Sequence, residues 1–175
     1  MECILVAAMS QNEYITNGSD PQPTHWTSAE DQQFFADIRS QYRLFVMGEN
    51  TYRHGKPKPA AGTLRVVLTH HPERFVDQSV AGQLEFHDLT PQQFVKKYGK
   101  MHDSCLILGG GRVYAEFIRA RLVDELYITV EPLIFASGVH LFNDQFTLSD
   151  LNLAEPEITH LNPKGSVLKH YVLKK

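Results

Sequence analysis

Residues 104–118, SCLILGGGRVYAEFI, carry the clearest structural signal in this chain. The apolar run 105–108 predicts a buried strand, the glycines 109–111 follow it, and a helical pattern begins at Arg112. Glycines at the carboxyl end of a strand leave the backbone uncovered by side chains where an α/β sheet usually binds its ligand. Amide N–H groups at the start of a helix can bind a pyrophosphate. Because the glycines are consecutive, unlike the spaced dinucleotide-binding fingerprint, a tight turn without a ligand fits this stretch equally well.

The composition is that of an ordinary globular protein. The chain has 175 residues, 42% of them hydrophobic and 21% charged, so we expect a single domain over residues 1–175. Its formal net charge of −3 argues against broad binding to nucleic acid or to anionic membranes. The N-terminal MECILVAAM has no basic residue before its apolar run and is too short to span a membrane, which predicts a buried first strand and a cytoplasmic protein.

The cysteines and histidines give no pattern of a metal site. Cys3 and Cys105 are the two cysteines, and each lies in an apolar, strand-like run, which favours buried thiols over a disulfide. The nine histidines show no HxxxH spacing, and the adjacent pair His70 and His71 would diverge in an extended segment. We therefore expect no metal.

Apolar runs of strand length alternate with helical patterns along the chain. The predicted strands are residues 3–8, 44–47, 64–69, 84–87, 105–108 and 125–130, with two closing strands within 151–160 and 167–173. The predicted helices are residues 28–41, 49–53, 91–98 and 112–121. Thr27 is the predicted N-cap of the first helix, with Glu30 completing a capping box, and Thr90 caps the third. This alternation predicts an α/β fold with a mainly parallel central sheet, helices on both faces and antiparallel C-terminal strands.

Two predicted strands end in glycine and lead directly into a helical turn, at Gly48 and at Gly109. If these strands are parallel neighbours, both turns lie at the same edge of the sheet and flank an extended phosphorylated ligand. The pair is a stronger signal than either turn alone.

Asp31 is the candidate acid. It lies in the first turn of the first predicted helix, beside Phe34 and Phe35. A solvated carboxylate favoured by the helix dipole is the simpler interpretation. The functional interpretation is a carboxyl group that faces a cleft, with its pKa raised by apolar neighbours, and that binds or protonates a heterocycle.

Several segments, in consistent order, resemble the dihydrofolate reductases. Residues 109–117, GGGRVYAEF, look like their second cofactor-binding segment, and residues 46–52, VMGENTY, look like their first. Trp26 stands five residues before Asp31, which is the spacing between the active-site tryptophan and the catalytic acid in bacterial members. The resemblance covers residues 3–142 and implies a dihydrofolate reductase-like domain.

The resemblance implies a role for each matching residue. Asp31, held by Thr129, would bind the pyrimidine edge of a pterin and assist its protonation. Trp26 would cap the site, Tyr114 would lie beside the nicotinamide, and a cis peptide would join the first two glycines of the triplet. The implied substrate contacts are Val6, Ala7, Ala8, Phe35 and Leu108. The implied cofactor contacts are Ala8, Gly48, Glu49, Asn50, Thr51, Leu68, Thr69, His70, Leu108, Gly109, Gly110, Gly111, Arg112, Val113 and Tyr114.

The departures from that family concern the cofactor and the substrate tail. Glu49 stands where most members have a basic residue for the 2′-phosphate of NADPH, so NADPH is the first choice and NADH the alternative. The remaining phosphate contacts would come from Thr69, His70, His71 and Arg74. Thr63 matches the arginine that clamps the folate carboxylate, and Arg65 follows two positions later.

Other segments resemble the reductase domain of bacterial riboflavin biosynthesis. They are residues 122–126 and 131–134 with Ser137 and Gly138, although the usual Ser-x-Asp-Gly after the first strand is replaced by SQNE at 10–13. The first functional hypothesis is an NADPH-dependent reductase of dihydrofolate or a related pterin, and the second is a 5-amino-6-(5-phosphoribosylamino)uracil reductase. A third is a nucleotide-binding protein without catalysis. The protein is expected to be a monomer or a homodimer.

Overall fold

The computed structural model describes residues 1–173, and an eight-stranded sheet forms its centre. The strand order is β4-β3-β2-β5-β1-β6-β8-β7. The strands are β1 (Glu2–Met9), β2 (Leu44–Gly48), β3 (Leu64–Leu68), β4 (Leu84–His87), β5 (Ser104–Ile107), β6 (Glu125–Val130), β7 (Glu157–His160) and β8 (Val167–Val172). The first six strands pair in parallel, and β8 pairs antiparallel with both β6 and β7. The predicted α/β fold, with its antiparallel C-terminal strands, is confirmed.

Four α-helices accompany the sheet within the described residues. They are α1 (Ala29–Ser40), α2 (Glu49–Gly55), α3 (Pro91–Tyr98) and α4 (Gly111–Arg119). Short 3₁₀ turns lie at Pro23–His25, Pro72–Gln78 and Leu148–Leu151. The predicted cap of α3 by Thr90 is present, and Gln93 completes a capping box with it. The single-domain organisation of residues 1–175 stays a prediction.

The predicted N-cap of α1 is wrong by one residue. The cap is Ser28, whose hydroxyl accepts the N–H of Asp31 at 3.3 Å. With Ser28 as the cap, the third residue of the helix is Asp31, so Glu30 is not placed to close a capping box, and its carboxylate accepts the side-chain amide of Asn162. The Ser28 N–H instead donates to the Glu131 carboxylate at 2.8 Å. A partner 103 residues away therefore sets the start of the helix.

The sheet buries side chains on both faces, as a parallel sheet covered by helices requires. Along β1, Cys3 and Leu5 pack into the larger core cluster with α3 and α4, whereas Ile4 and Val6 face α1. Cys3 and Cys105 are register partners on β1 and β5, and both are buried thiols, not a disulfide. Among residues 1–173, no helix is long and apolar enough to cross a membrane.

The topology brings the two glycine turns together. Strand β2 is the direct neighbour of β5, and beyond the paired residues Leu108 N–H donates to the Val46 carbonyl at 2.8 Å. Gly48 N–H then donates to the Gly109 carbonyl at 2.7 Å. Both turns thus lie at the carboxyl edge of the sheet, as the sequence predicts.

Candidate active site

A cavity of about 870 Å³ opens at this edge, between the two glycine turns, helix α1 and the loop that follows β1. Such a volume lies in the range of small-molecule and cofactor sites. Most of the predicted site residues line it, namely Ala7, Ala8, Phe35, Gly48, Glu49, Asn50, Thr51, Leu68, Thr69, His70, Leu108, Gly110, Gly111, Arg112, Val113 and Tyr114. The predicted site residues that do not line it are Val6, Trp26, Asp31, Gly109 and Thr129.

Gly110 and Gly111 of the glycine triplet line the cavity, and the triplet lacks side chains where the backbone is crowded. Gly109 has a φ of 95°, a Cβ there would lie 2.8 Å from the Tyr114 ring, and the Gly109–Gly110 peptide is cis. A Cβ on Gly111 would lie 2.6 Å from the carbonyl oxygen of His140. Both positions therefore require glycine, and the segment at His140 closes directly onto the start of α4.

The helix starts beside the triplet are left without side-chain caps. Gly110 is the N-cap of α4 and Gly48 is the N-cap of α2, and neither helix has a side-chain cap bond, whereas α1 and α3 do. Gly110, Gly111 and Arg112 at the start of α4 line the cavity, and no side chain caps the first amides of this helix. The Thr51 hydroxyl lies 3.3 Å from the position of a Gly110 Cβ. Bare amides and a hydroxyl suit the oxygens of a pyrophosphate.

Tyr114 has a structural task in addition to lining the cavity. Its ring lies under Gly109, and its hydroxyl donates to the Val6 carbonyl at 2.7 Å in the buried interior. Burial raises the pKa of this phenol, which keeps it neutral. Because the hydroxyl proton is already engaged by Val6, the geometry makes Tyr114 a wall of the site rather than a proton donor.

Asp31 is 7% exposed and is not among the residues that line the cavity, although Phe35, one turn later on α1, is. Thr129, which hydrogen-bonds its carboxyl group, is the register partner of Ala8, and Ala8 lines the cavity. Burial raises the pKa of Asp31, the hydrogen bond from Thr129 opposes that rise, and the negative charge of Glu131 adds to it. A carboxyl group with a raised pKa exchanges its proton nearer to neutral pH, as a proton relay requires.

Glu131 is a second buried carboxylate, which the sequence reasoning did not assign to the site. It is 3% exposed, and its oxygens accept the Ser28 N–H and the Ser166 hydroxyl. It lies two residues after Thr129. Because side chains alternate along a strand, the sequence could have predicted that Glu131 and Thr129 lie on the same face of the sheet. Glu131 ties the start of α1, and with it Asp31, to the end of β6.

Trp26 lies three residues before the start of α1, and its ring packs edge-on against the Phe135 ring, with 5.2 Å between the ring centroids. Its indole N–H is buried and has no hydrogen-bond partner among the described residues. The cavity is instead covered by the earlier part of this loop, through Ile15, Thr16 and Gly18. The role of Trp26 as a cap stays a prediction.

The covering loop is held by the segment that follows β6. The Asn12 side-chain amide donates to the Phe135 carbonyl at 2.8 Å and accepts its N–H at 3.1 Å. Further along, Gly18 N–H donates to the Ser137 carbonyl at 2.8 Å. Glu13, at the place of the glycine in the Ser-x-Asp-Gly pattern, adopts a φ of 62°. The altered residues therefore keep a tight turn over the site.

The region where the 2′-phosphate of NADPH was expected contains an acidic residue, Glu49, and a basic residue, Arg112. Glu49 accepts hydrogen bonds from the Thr69 hydroxyl and from Arg53, and the bond from Thr69 lowers its pKa most. Arg112 donates to Glu116 at 2.8 Å and contacts His70 at 3.1 Å. Glu49 is thus an ionised carboxylate paired with Arg53, and the charge of Arg112 is partly neutralised by Glu116.

Two arginines that line the cavity were missed as site residues: Arg39 of α1 and Arg65 of β3. Asp31, Phe35 and Arg39 follow one another at intervals of four residues, and residues with this spacing lie on one face of a helix. This spacing could have predicted Arg39 as a site residue. Among residues 1–173, no group of three or more His, Cys, Asp or Glu side chains is arranged to hold a metal ion.

Comparisons with known proteins agree with this architecture. Residues 4–165 match the family model of the RibD C-terminal domain. The uncharacterized protein YwjB of Bacillus subtilis (strain 168) is 25% identical over 124 residues, which are 68% of this chain and 69% of that protein.

Solved structures show the same fold at lower sequence identity. A pyrimidine reductase-like protein of Corynebacterium diphtheriae superposes with a TM-score of 0.78 at 17% identity, over 99% of this chain and 92% of that chain. A Thermotoga maritima diaminohydroxyphosphoribosylaminopyrimidine deaminase/5-amino-6-(5-phosphoribosylamino)uracil reductase gives 0.73 at 15% identity, over 98% of this chain and 56% of that one. Dihydrofolate reductase from Enterococcus faecalis, complexed with NADP(H), gives 0.68 at 19% identity, over 98% and 95%. Both resemblances seen in the sequence are confirmed.

Proposed function

This chain belongs to the RibD C-terminal domain family, and on that premise we propose that it is an NADPH-dependent reductase of a pyrimidine-containing heterocycle. The first candidate substrate is dihydrofolate or a related pterin. The observation that carries the proposal is the buried Asp31–Thr129 pair, next to Ala8 of the wall of a cavity that Gly110 and Gly111 also line. The family and the fold support an oxidoreductase in general, and the site argues for the particular chemistry.

The residues present fit a nicotinamide dinucleotide. The uncapped start of α4 and the Thr51 hydroxyl would hold its pyrophosphate, and Gly110, which lines the cavity beside Thr51 without a side chain, would leave room for it. When bound, this cofactor supplies the hydride. The protein supplies the orientation and the exclusion of water.

The chain's own acid would handle the proton. Asp31 would bind the amino-pyrimidine edge of the substrate and, with its raised pKa, assist the delivery of a proton to the ring nitrogen next to the carbon that accepts the hydride. Thr129 would hold the carboxyl group in place through its hydrogen bond, and Glu131 would fix the start of the helix that carries it. Phe35 and Leu108 would pack against the flat faces of the substrate.

A second candidate substrate is 5-amino-6-(5-phosphoribosylamino)uracil, which the printed name of the Thermotoga maritima relative mentions. The match to the RibD C-terminal domain over residues 4–165 favours it. The two candidates share a pyrimidine ring, so Asp31 would serve the recognition of either.

A cofactor-consumption assay separates these candidates. The purified chain is given NADPH or NADH with dihydrofolate or with the uracil compound, and the loss of reduced-nicotinamide absorbance is followed. Oxidation with dihydrofolate supports the first candidate, and oxidation with the uracil compound alone supports the second. Cofactor binding without turnover of either compound would leave the non-catalytic nucleotide-binding protein.

Replacing Glu49 is expected to change the choice between NADPH and NADH. An ionised carboxylate repels a 2′-phosphate, so Glu49→Gln should lower the KM for NADPH about tenfold and leave the KM for NADH nearly unchanged. Glu73→Gln is the matched control, because Glu73 is exposed and pairs with His71. Equal KM values for NADPH in the Glu49 variant and the unmodified protein would show that this carboxylate does not face the phosphate.

A further inference from the structure

We propose that Glu131, together with Ser166 and Asn162 of the turn between β7 and β8, positions the acid Asp31 for proton transfer. The inference rests on the proposed function, because it takes Asp31 as the acid of the reaction. It adds that residues outside the cavity control this acid through the start of α1. None of the three residues lines the cavity.

The Glu131 carboxylate joins two elements that are far apart in sequence. One of its oxygens accepts the Ser28 N–H at 2.8 Å, and the other accepts the hydroxyl of Ser166, which directly precedes β8. Ser28 is the N-cap of α1, and its own hydroxyl accepts the Asp31 N–H at 3.3 Å. Two hydrogen bonds therefore connect the Glu131 carboxylate to the backbone of the acid, and a third connects it to the start of β8.

The turn between β7 and β8 holds the same end of α1 by a second route. The side-chain oxygen of Asn162 accepts the N–H groups of Lys164 and Ser166 at 3.0 and 3.3 Å. Its amide group donates to the Ser166 hydroxyl at 3.0 Å and to the Glu30 carboxylate at 3.1 Å. The first three bonds fix the turn, and the fourth attaches the turn to the residue before Asp31.

Glu131 is a carboxylate in a place where a charge is unfavourable. It is 3% exposed, and no cationic side chain of residues 1–173 forms a salt bridge with it. Burying an unpaired charge costs free energy. A glutamine could make hydrogen bonds at the same two places, because the Ser166 hydroxyl can accept as well as donate. The hydrogen bonds alone therefore do not require a carboxylate at this position.

The charge of Glu131 acts on Asp31. Burial is the main cause of the raised pKa of Asp31, and the negative charge of Glu131 adds to the rise because like charges disfavour ionisation. Glu30, Lys164 and His25 also lie near this end of α1, but all three are exposed, so solvent screens their charges. Glu131 is thus placed to influence both the position of the acid and the pH at which it releases its proton.

A titration of Asp31 in the absence of substrate tests the electrostatic part. NMR of protein that carries labelled aspartate carboxyl carbons gives the pKa, and the Asp31 signal is assigned by its absence from Asp31→Asn. Glu131→Gln should shift the pKa of Asp31 downward, because it removes the neighbouring charge and keeps both hydrogen-bonding positions. Glu157→Gln is the matched control, since Glu157 is exposed on β7.

This titration needs no turnover, so its failure is distinct from a failure of the proposed function. The same pKa of Asp31 in Glu131→Gln and in the unmodified protein would overturn the proposal.

Steady-state kinetics test the positioning part. Ser166→Ala and Asn162→Ala each remove a link between the turn and the start of α1. Because a misplacement of about 1 Å can cost on the order of 10²-fold in rate, kcat should fall about tenfold or more, while the KM for the reduced nicotinamide stays unchanged. Ser149→Ala is the control, because Ser149 is exposed. An unchanged kcat in both turn variants, or an equal loss in Ser149→Ala, would contradict the proposal.

Glu131→Asp separates reach from charge. The shorter side chain keeps the negative charge but cannot hold both Ser28 and Ser166 as Glu131 does. This variant should therefore lose kcat as the turn variants do and keep a raised pKa of Asp31 in the NMR titration. A kcat equal to that of the unmodified protein would show that the two hydrogen bonds of Glu131 do not position the acid.

Discussion

Asp31→Asn is expected to lower kcat for substrate reduction by about 10²–10⁴-fold, which is the usual contribution of a positioned acid. The amide keeps the size of the carboxyl group but cannot release a proton, and it changes the hydrogen bond with Thr129. Steady-state kinetics with the preferred pair of cofactor and substrate measures the loss. Asp37→Asn is the matched control on the same helix, since Asp37 is exposed and accepts from the Gln33 side chain. A rate within a few-fold of the unmodified protein would remove Asp31 from the mechanism.

The same variant should be more stable than the unmodified protein at neutral pH. The pKa of Asp31 is raised in the folded state, so the folded protein binds this proton more tightly than the unfolded chain does. The free energy of unfolding is then highest below the unfolded pKa of about 3.9 and falls as the pH rises through the folded pKa. Asparagine does not ionise, so the free energy of unfolding of the variant does not decrease in this way. The variant should therefore be more stable than the unmodified protein at neutral pH but not below the unfolded pKa. Urea denaturation at several pH values separates this result from inactivation by misfolding.

Gly111→Ala is expected to lower the free energy of unfolding by about 1–3 kcal/mol, since overpacking a tightly filled site has this cost. A Cβ would lie 2.6 Å from the His140 carbonyl oxygen and 3.1 Å from the Asn143 nitrogen, and backbone atoms cannot turn aside as a side chain can. The displaced segment closes onto the start of α4, so the affinity for a nicotinamide cofactor should fall as well. Urea denaturation and cofactor titration give the two quantities.

Gly55→Ala is the control for this prediction. Gly55 ends α2, has no positive φ, and its nearest neighbour to an added Cβ is the Pro57 side chain at 3.8 Å. Alanine in a helix is favoured over glycine by about 0.5–1 kcal/mol, so this variant should match or slightly exceed the stability of the unmodified protein. Equal unfolding midpoints for the two variants would show that the 140–143 segment yields easily to α4.

The parts of the fold that could be predicted rest on local signals. The strand Glu125–Val130 and the helix Pro91–Tyr98 lie where they were predicted, because an apolar run and a Thr-Pro cap act on residues within a few positions. The cap of α1 was misplaced because Thr27 and Ser28 are both capable caps. The choice between them depends on Glu131 and Asn162, which are distant in sequence.

The site shows the same division. The two glycine turns were expected at one edge of the sheet, and the structure joins them through Gly48 and Gly109. The resemblance to dihydrofolate reductases pointed to Asp31, but nothing near it in sequence identified Glu131 as its charged neighbour. Arg65 was considered only as a neighbour of Thr63, because its relation to Arg39 depends on which face of β3 it occupies.

The sequence alone determined the succession of strands and helices along the chain and the two glycine turns, because glycine conformation, capping and apolar periodicity act over a few neighbouring residues. The tertiary structure decided which side chains share the cavity. Parallel pairing of β2 with β3 sets Arg65 beside Phe45, and the packing of α1 on that face brings Arg39 to the same wall. Strand register and helix placement are cooperative results of burying the whole core, so no local segment specifies them.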